Sequence, residues 1–512
     1  MGNTVKQKPI RKVLVANRGE IAIRIMRSCR EMGIDTVAVF SDADRTSMHV
    51  RYADEAYNIG PAPSSESYLN MDKIIQTAKK SGADAIHPGY GFLSENSAFS
   101  RRCRKEGIKF IGPSPESIEM MGDKISARKR MIAAGVPVVP GTTDKVTNEA
   151  EAIRQIKEIG LPVMIKASAG GGGRGMRLVH KDSEITNLLR AARSEAKTAF
   201  GDDAVYIEKY VDSPHHVEFQ VLSDQHGNTV HLFERECSVQ RRHQKVVEET
   251  PSPLLTPEVR AKMGECAVAA ANACNYEGAG TIEFIMDDQL NFYFLEMNTR
   301  LQVEHPITER VVGVDLVREQ IRVAEGHPLP FTQRQLKMNG HSMECRIYAE
   351  DTENNFMPNP GKITHITEPM GLGVRCDGYI HEGYTIPIYY DPMISKLIIW
   401  GRTRSEVIER MRRALFEYKI SGVKTSIKYL LKIMETPDFR NGTYNTHFIE
   451  KNEEFLNTKV KCDIHCEDIA LIATFFEHAS KVKHTKRVVP HERTVGVKGW
   501  KHRGRRAGIQ RL

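Results

Sequence analysis

The sequence lacks any apolar run near the roughly 18–20 residues that a membrane-spanning helix requires. Its longest late stretch is Ile469-Ala470-Leu471-Ile472-Ala473-Thr474-Phe475-Phe476. The N-terminus has no apolar core of a secretory leader. It opens Met1-Gly2, but Lys6 stands where N-myristoylation needs Ser or Thr. Nine cysteines include no Cys-x-x-Cys pair. Cys462 and Cys466 bracket His465 as a thin metal-like cluster, against a default of plain thiols. A reducing cytoplasm is therefore the expected compartment. No internal repeat is present. No Gly-x-Gly-x-x-Gly follows the first apolar strand, which argues against a nicotinamide site.

Charge of one sign is scarce except at the end. Residues 481–512 hold eleven Lys/Arg and one Glu, so the formal net charge of +8 leaves 62 basic and 64 acidic residues elsewhere. The basic character belongs to a tail, not to a site. Such a tail reads as a solvated extension, with contact to a partner as the alternative. Neither a membrane nor nucleic acid is an expected partner.

What is present is a long chain of 512 residues, room for roughly two to four domains. Residues 1–112 alternate strands and helices. Val13-Leu14-Val15-Ala16, Val37-Ala38-Val39-Phe40, Ala83-Asp84-Ala85-Ile86 and Ile108-Lys109-Phe110-Ile111 are the strands. Asn17-Arg18-Gly19-Glu20 turns the first into a helix carrying Ile21, Ile25 and the stem of Arg24, and residues 71–80 form another helix. That order predicts a parallel sheet covered on both faces. Residues 113–135 are a breaker followed by one helix over 118–134. Residues 136–212 form a smaller unit with a strand at 163–166, a helix over 182–200 and a strand at 205–208. A longer α+β region follows, with strands at 217–222, 229–234, 281–286 and 292–297 and helices over 256–274 and 315–325.

Residues 281–298 read as a hairpin with a polar turn near Gln289. Glu283 then faces Glu296 with Cβ atoms about 5 Å apart. Opposed like charges destabilise a hairpin unless a divalent cation lies between them, and Mg²⁺ prefers such oxygens. Exposed, water-screened carboxylates are the alternative. Glu296, Asn298, Arg300, Gln302 and Glu304 are all even-numbered, so an extended chain would project them from one face. Metal ligands, a cation, an amide and a carboxylate along one wall suit a small oxyanion beside a metal, with a base at hand. An ordinary half-solvated strand would also alternate.

Lys166 precedes a run containing Gly170, Gly171, Gly172, Gly173 and Gly175. Glycines allow backbone N–H groups to approach phosphates, and Lys166 can reach one as a point charge. This is not a Walker A loop, because the lysine comes first. A lid over a nucleotide, or else a flexible linker, fits the run. Gln240, Arg241, Arg242, His243 and Lys245 form a cationic cluster suited to an anion or to plain surface.

Ala16–Ala22, His87–Asn96, Met121–Lys124, Glu208–Tyr210, Gln240–Val247, Glu296–Pro306 and Glu344–Ile347, with the glycine run, resemble biotin carboxylase, an ATP-grasp family, over about residues 10–451. The resemblance implies an α/β and α+β fold. It has a Rossmann-like N-terminal domain (1–112), a helical linker (113–135), a mobile lid (136–212), an ATP-grasp core (213–330) and a C-terminal domain (331–451). A helical extension (452–480), similar to the extra helix of the ATP-grasp subunit in two-subunit pyruvate or 2-oxoacid carboxylases, and the basic tail (481–512) follow.

It also implies roles. Lys124, Lys166, Glu208, His216, Gln240, His243, Glu283 and Glu296 surround ATP, with Gly171, Gly172 and Gly173 over its phosphates. Glu283, Glu296 and Asn298 hold Mg²⁺ or Mn²⁺. Lys245, Arg300, Gln302 and the Val303 backbone bind bicarbonate, and Glu304 is the general base. Tyr90 and Arg346 meet biotin. Arg27, Glu31 and Arg375 line a homodimer interface, where Leu372 replaces a common aromatic, and Ala169 replaces a lid glycine. No Met-Lys-Met carries a biotinyl lysine and no carboxyltransferase region is seen. Biotin carboxyl carrier protein and carboxyltransferase are therefore expected on separate chains, with acetyl-CoA, propionyl-CoA, pyruvate or 2-oxoglutarate as possible acceptors. Another ATP-grasp ligase, or a non-catalytic nucleotide-binding scaffold, is the competing view.

Overall fold

The computed structural model describes residues 7–146, 148–167, 176–201, 203–458 and 466–485. Buried β-branched runs set the N-terminal sheet. Five strands, β1 (Lys12–Val15), β2 (Asp35–Ser41), β3 (Glu55–Gly60), β4 (Ala85–His87) and β5 (Lys109–Phe110), lie parallel in the order β3-β2-β1-β4-β5. Val13, Leu14, Val15, Val37, Ala38, Val39, Ala85 and Ile86 are fully buried, as a sheet covered on both faces demands. The strand at 55–60 was not anticipated, because its apolar content is thin.

Strand order reverses between β1 and β4, and ligands of such sheets bind at the carboxyl ends beside that point. There Asn17 Nδ2 donates to the carbonyls of Pro88 and Tyr90, both at 2.7 Å. Gly89 permits this approach: its φ is +63°, and a Cβ there would meet Asn17 Nδ2 at 3.0 Å and Ile21 Cγ1 at 3.1 Å. The following helix, Gly19–Glu31, buries Ile21, Ile23, Ile25 and Met26. Arg24 does more than pack its stem: its guanidinium is ion-paired with Glu309 (2.7 Å) and Asp315 (2.8 Å).

The single helix expected over 118–134 is two, Pro115–Gly122 and Lys124–Ala133. Asp123 breaks them by leaving helical geometry, and its carboxylate caps Ser126 N–H at 2.7 Å. A three-stranded antiparallel sheet follows, ordered β7 (Arg177–Val179), β6 (Val163–Ala167), β8 (Val205–Lys209). The helix Ile185–Phe200 packs on it through Ile185, Leu189 and Ala192.

The central element is an eight-stranded antiparallel sheet. Its order is β13 (Phe292–Asn298), β12 (Gly278–Met286), β9 (His215–Ser223), β10 (Thr229–Arg241), β11 (Gln244–Thr250), β14 (His341–Tyr348), then strands Met393–Gly401 and Val374–Gly378. Helices Pro257–Ala273, His305–Val312 and Arg404–Glu417 pack against it. These elements all belong to one compact unit ending at Asn457. A second unit, from Thr458 onward, contains the helix Cys466–Thr485, on which Ile469, Leu471, Ile472, Phe475 and Phe476 are exposed. No described helix is long and apolar enough to cross a membrane. Cys462 and His465 lie outside the described residues.

Candidate active site

The site grows from one row of residues across the central sheet. Glu296 on β13 pairs with Glu283 on β12, Glu283 with Glu218 on β9, and Glu218 with Arg235 on β10. Three acids and an arginine therefore stand side by side on one face.

The Glu283–Glu296 pairing depends on an irregularity. Met286, Ile285 and Phe284 face Phe292, Tyr293 and Phe294, a register that would put Glu283 opposite Leu295. A bulge inserts Leu295 and shifts the pairing by one residue, to Glu296. The turn is set by Asp287, whose carboxylate accepts from the N–H groups of Gln289 (3.0 Å) and Asn291 (2.9 Å).

Beyond Asn298 the chain is not the extended strand expected from its parity. Strand structure ends at Asn298, and Glu304 is already the N-cap of helix His305–Val312. The expected groups are still gathered, because Thr299 and Leu301 are buried and turn their neighbours toward the site. Arg300 donates to Asn298 Oδ1 (2.8 Å) and to Glu95 (2.9 Å). Gln302 Nε2 donates to Glu283 at 2.9 Å, and Asn298 Nδ2 donates to the same carboxylate at 2.8 Å.

Lys245 is the hub. Its Nζ lies 2.5 Å from Glu218, 3.0 Å from Glu283 and 2.7 Å from Glu304. Burial opposes its charge, but those three carboxylates outweigh burial and raise its pKa well above the ordinary lysine range. Glu304 is 1% exposed and is also bound by Arg346 Nη2 at 3.0 Å. Burial would favour its neutral form. Lys245, Arg346 and Arg235 reverse that and hold it well below the usual carboxylate range. Glu283 is lowered likewise, against burial, by Lys245 and His216.

His216 Nε2 lies 3.1 Å from Glu283, and Gln240 Nε2 donates to His216 Nδ1 at 3.0 Å. The His216 imidazole is buried, yet the Glu283 charge raises its pKa. His243 and Arg242 form the exposed β10–β11 turn, both with positive φ (64° and 52°). Two successive non-glycine residues in that region cost on the order of 1 kcal/mol or more each, which marks the turn as a held conformation.

A second group sits on the three-stranded sheet and the helix before it. Glu208 accepts from Lys166 Nζ (2.5 Å) and from Arg128 Nη1 (3.0 Å). Lys124 opens the helix Lys124–Ala133, and its charge reaches Glu296. Glu296 itself meets solvent on one side while protein crowds it on others. That crowding and the Glu283 charge raise its pKa. Gly171, Gly172 and Gly173, with Ala169, lie outside the described residues.

Tyr90 sits at the switch point, its hydroxyl donating to Glu20. Val303 offers its carbonyl to Lys396 Nζ at 2.8 Å. Arg375 is held by Glu309 (2.8 Å) and Asp377 (2.7 Å), and Arg27 Nη1 approaches Asp377 at 3.9 Å.

Sequence reasoning missed Glu218, Arg235 and Glu248. Arg235 is fully buried and binds Glu218 (2.6 Å), Gln220 (2.7 Å), Thr281 and Thr308 (both 3.1 Å) and Gln302 (2.5 Å). Glu248 accepts from Arg346 Nε at 2.6 Å, and burial pushes its pKa up to about 7 despite Arg346. A signal existed for Glu218: His216, Glu218 and Gln220 alternate with apolar Val217, Phe219 and Val221.

The donor set fits a hard divalent cation. Glu283, Glu296 and Asn298 offer oxygens, and the Glu283 charge, added to burial, raises the Glu296 pKa, a like-charge conflict that such a cation removes. Ligand atoms of His216, Glu218 and Glu283 also lie within 4.8 Å of one another.

Three family models match the chain. The N-terminal domain of biotin carboxylase matches residues 9–118, the ATP-binding domain of the carbamoyl-phosphate synthase L chain matches 123–332, and the biotin carboxylase C-terminal domain matches 344–451. A pyruvate carboxylase subunit of Methanothermobacter thermautotrophicus is 55% identical over 450 residues, 88% of this chain and 91% of that one. Biotin carboxylase 1 of Bacillus subtilis is 53% identical over 442 residues, 86% of this chain and 98% of that one. The biotin carboxylase domain dimer of Hydrogenobacter thermophilus 2-oxoglutarate carboxylase, solved with MgADP, ADP and bicarbonate, superposes with a TM-score of 0.84 at 49% identity, covering 88% of this chain and 100% of that one. With matching models over most of its length and relatives above half identity, the chain belongs to the biotin carboxylase family.

Proposed function

We propose that this chain uses MgATP and bicarbonate to carboxylate biotin borne on a separate carrier chain. The observation that carries this is Glu304: a buried carboxylate held between Lys245 and Arg346, beside the acid row.

The nucleotide lies among Lys124, Lys166, Glu208, His216, Gln240 and His243. Glu283, Glu296 and Asn298 would hold Mg²⁺ or Mn²⁺, which when bound would screen phosphate charge and favour phosphoryl transfer. Bicarbonate sits against Lys245, Arg300, Gln302 and the Val303 N–H. Glu304 is charged, the form a base requires. An entering anion takes part of its share of Lys245 and Arg346, and so raises its proton affinity toward the value needed. Glu304 then takes the bicarbonate proton, and the oxyanion attacks the γ-phosphorus as the bond to ADP breaks. The carboxyphosphate formed gives CO₂ and phosphate. Phosphate takes the biotin N1′ proton, Arg346 stabilises the enolate oxygen, and N1′ attacks CO₂ beside Tyr90.

The chain acts as a homodimer with a separate carrier and carboxyltransferase. Leu372 and Met370 are about four-fifths exposed, and Phe416 is exposed near Arg413, which binds the Met370 carbonyl at 3.1 Å. This apolar patch supports the second copy. Bacterial relatives and free described cysteines support a cytoplasmic setting. The acceptor is an acyl-CoA or a 2-oxoacid, chosen by the carboxyltransferase.

The test is ADP release by the purified chain with MgATP, with and without bicarbonate and free biotin. Stimulation requiring both is expected. Release that needs bicarbonate but ignores both free biotin and biotinylated carrier would instead mark another ATP-grasp ligase.

A further inference from the structure

Lys396 is fully buried on the strand Met393–Gly401, directly across from Arg346 on β14. Its Nζ donates to the Val303 carbonyl at 2.8 Å and lies 3.4 Å from Glu20 Oε2. It also stands 5.9 Å from the centre of the Tyr90 ring. Burying this ammonium costs desolvation, which the Glu20 carboxylate and the Val303 carbonyl together offset, so the loop carbonyl is held by a charge that the interior keeps in place.

The neighbouring peptide has its own buried anchor. His305, fully buried, contacts the Gln302 carbonyl through Nδ1 at 2.8 Å. A carbonyl only accepts, so Nδ1 carries the proton. Burial and the nearby cations Lys396, Arg24 and Arg375 keep this imidazole neutral. The Gln302 carbonyl shares its peptide plane with the Val303 N–H, and the Val303 carbonyl shares its plane with the Glu304 N–H. Two buried donors thus fix both planes that flank Val303.

On the bicarbonate role assigned above to Val303 and Glu304, we propose that Lys396 is a positioning residue for bicarbonate: with His305 it clamps the two peptide groups around Val303 and so aims the Val303 N–H and the Glu304 carboxylate. Lys396 touches no reacting atom. Its link to Glu20, which holds the Tyr90 hydroxyl, ties the same clamp to the biotin side.

The experiment is steady-state ADP release by the full chain carrying Lys396→Met, at saturating MgATP and biotin with bicarbonate varied. The KM for bicarbonate should rise about ten- to a hundredfold, the scale of one lost charge-assisted hydrogen bond, while the KM for MgATP stays within twofold. A residue that only supports the fold would lower Tm and leave that split absent. Lys396→Met strands the Glu20 carboxylate. If that variant does not fold, the double variant Glu20→Gln/Lys396→Met removes the stranded charge and is measured the same way. A wild-type bicarbonate KM in either folded variant overturns the proposal. Absence of any bicarbonate dependence in the unmodified chain would instead overturn the function proposed above.

Discussion

Replacing Glu304 with glutamine removes the proposed base while preserving shape. Three features predict that the fold tolerates it. Glu304 is the N-cap of helix His305–Val312 but makes no side-chain capping bond, so the helix does not depend on its carboxylate. Lys245 keeps Glu218 and Glu283, and Arg346 keeps Glu248, so neither cation is left alone. The amide occupies the same volume in a site that is 1% exposed. Nucleotide affinity should also survive, because the bonds of Glu304 go to Lys245 and Arg346 and not to Lys166, Glu208 or His216. Chemistry should not. Loss of a positioned base typically lowers rate by about 10²–10⁴, or roughly 3–5 kcal/mol of barrier. The expected result is a kcat reduced by that factor, with ADP affinity by calorimetry within about twofold of wild type. Turnover within tenfold of wild type would refute the assignment and pass the proton to a neighbouring carboxylate such as Glu248, which Arg346 also binds.

Glu249 accepts from His341, Arg404 and Tyr444, and against burial the first two hold its pKa at about 2. Against an unfolded value of about 4.3, this contributes about 3 kcal/mol of stability above pH 4.3 that is lost as pH falls toward 2. Glu249→Gln should therefore lower Tm at pH 7, with the gap to wild type closing between pH 4.3 and 2; a gap constant with pH would count against the pairing. Leu372→Glu places a charge in the exposed apolar patch and should shift sedimentation from dimer to monomer, and unchanged sedimentation would remove that patch from the interface.

Much of the site was legible because its elements are periodic. Glu283 and Glu296 could be paired from the hairpin alone, and Arg300, Gln302 and Glu304 could be grouped by parity. Both inferences reached the right neighbours through incomplete geometry. The pairing needs the Leu295 bulge, which no local residue announces, and the grouping survives although the strand stops at Asn298. What stayed hidden is what long-range contact creates. Arg235 sits in an unremarkable strand, yet the folded sheet brings five partners to its guanidinium from four other segments. Lys396 reads as one cation in an apolar run, and its partner Val303 is 93 residues away. A strand's pattern states which face a residue takes, whereas its neighbour across the sheet depends on strand order. The charges proposed for the chemistry could therefore be named from sequence, but the buried charges that hold them required the fold.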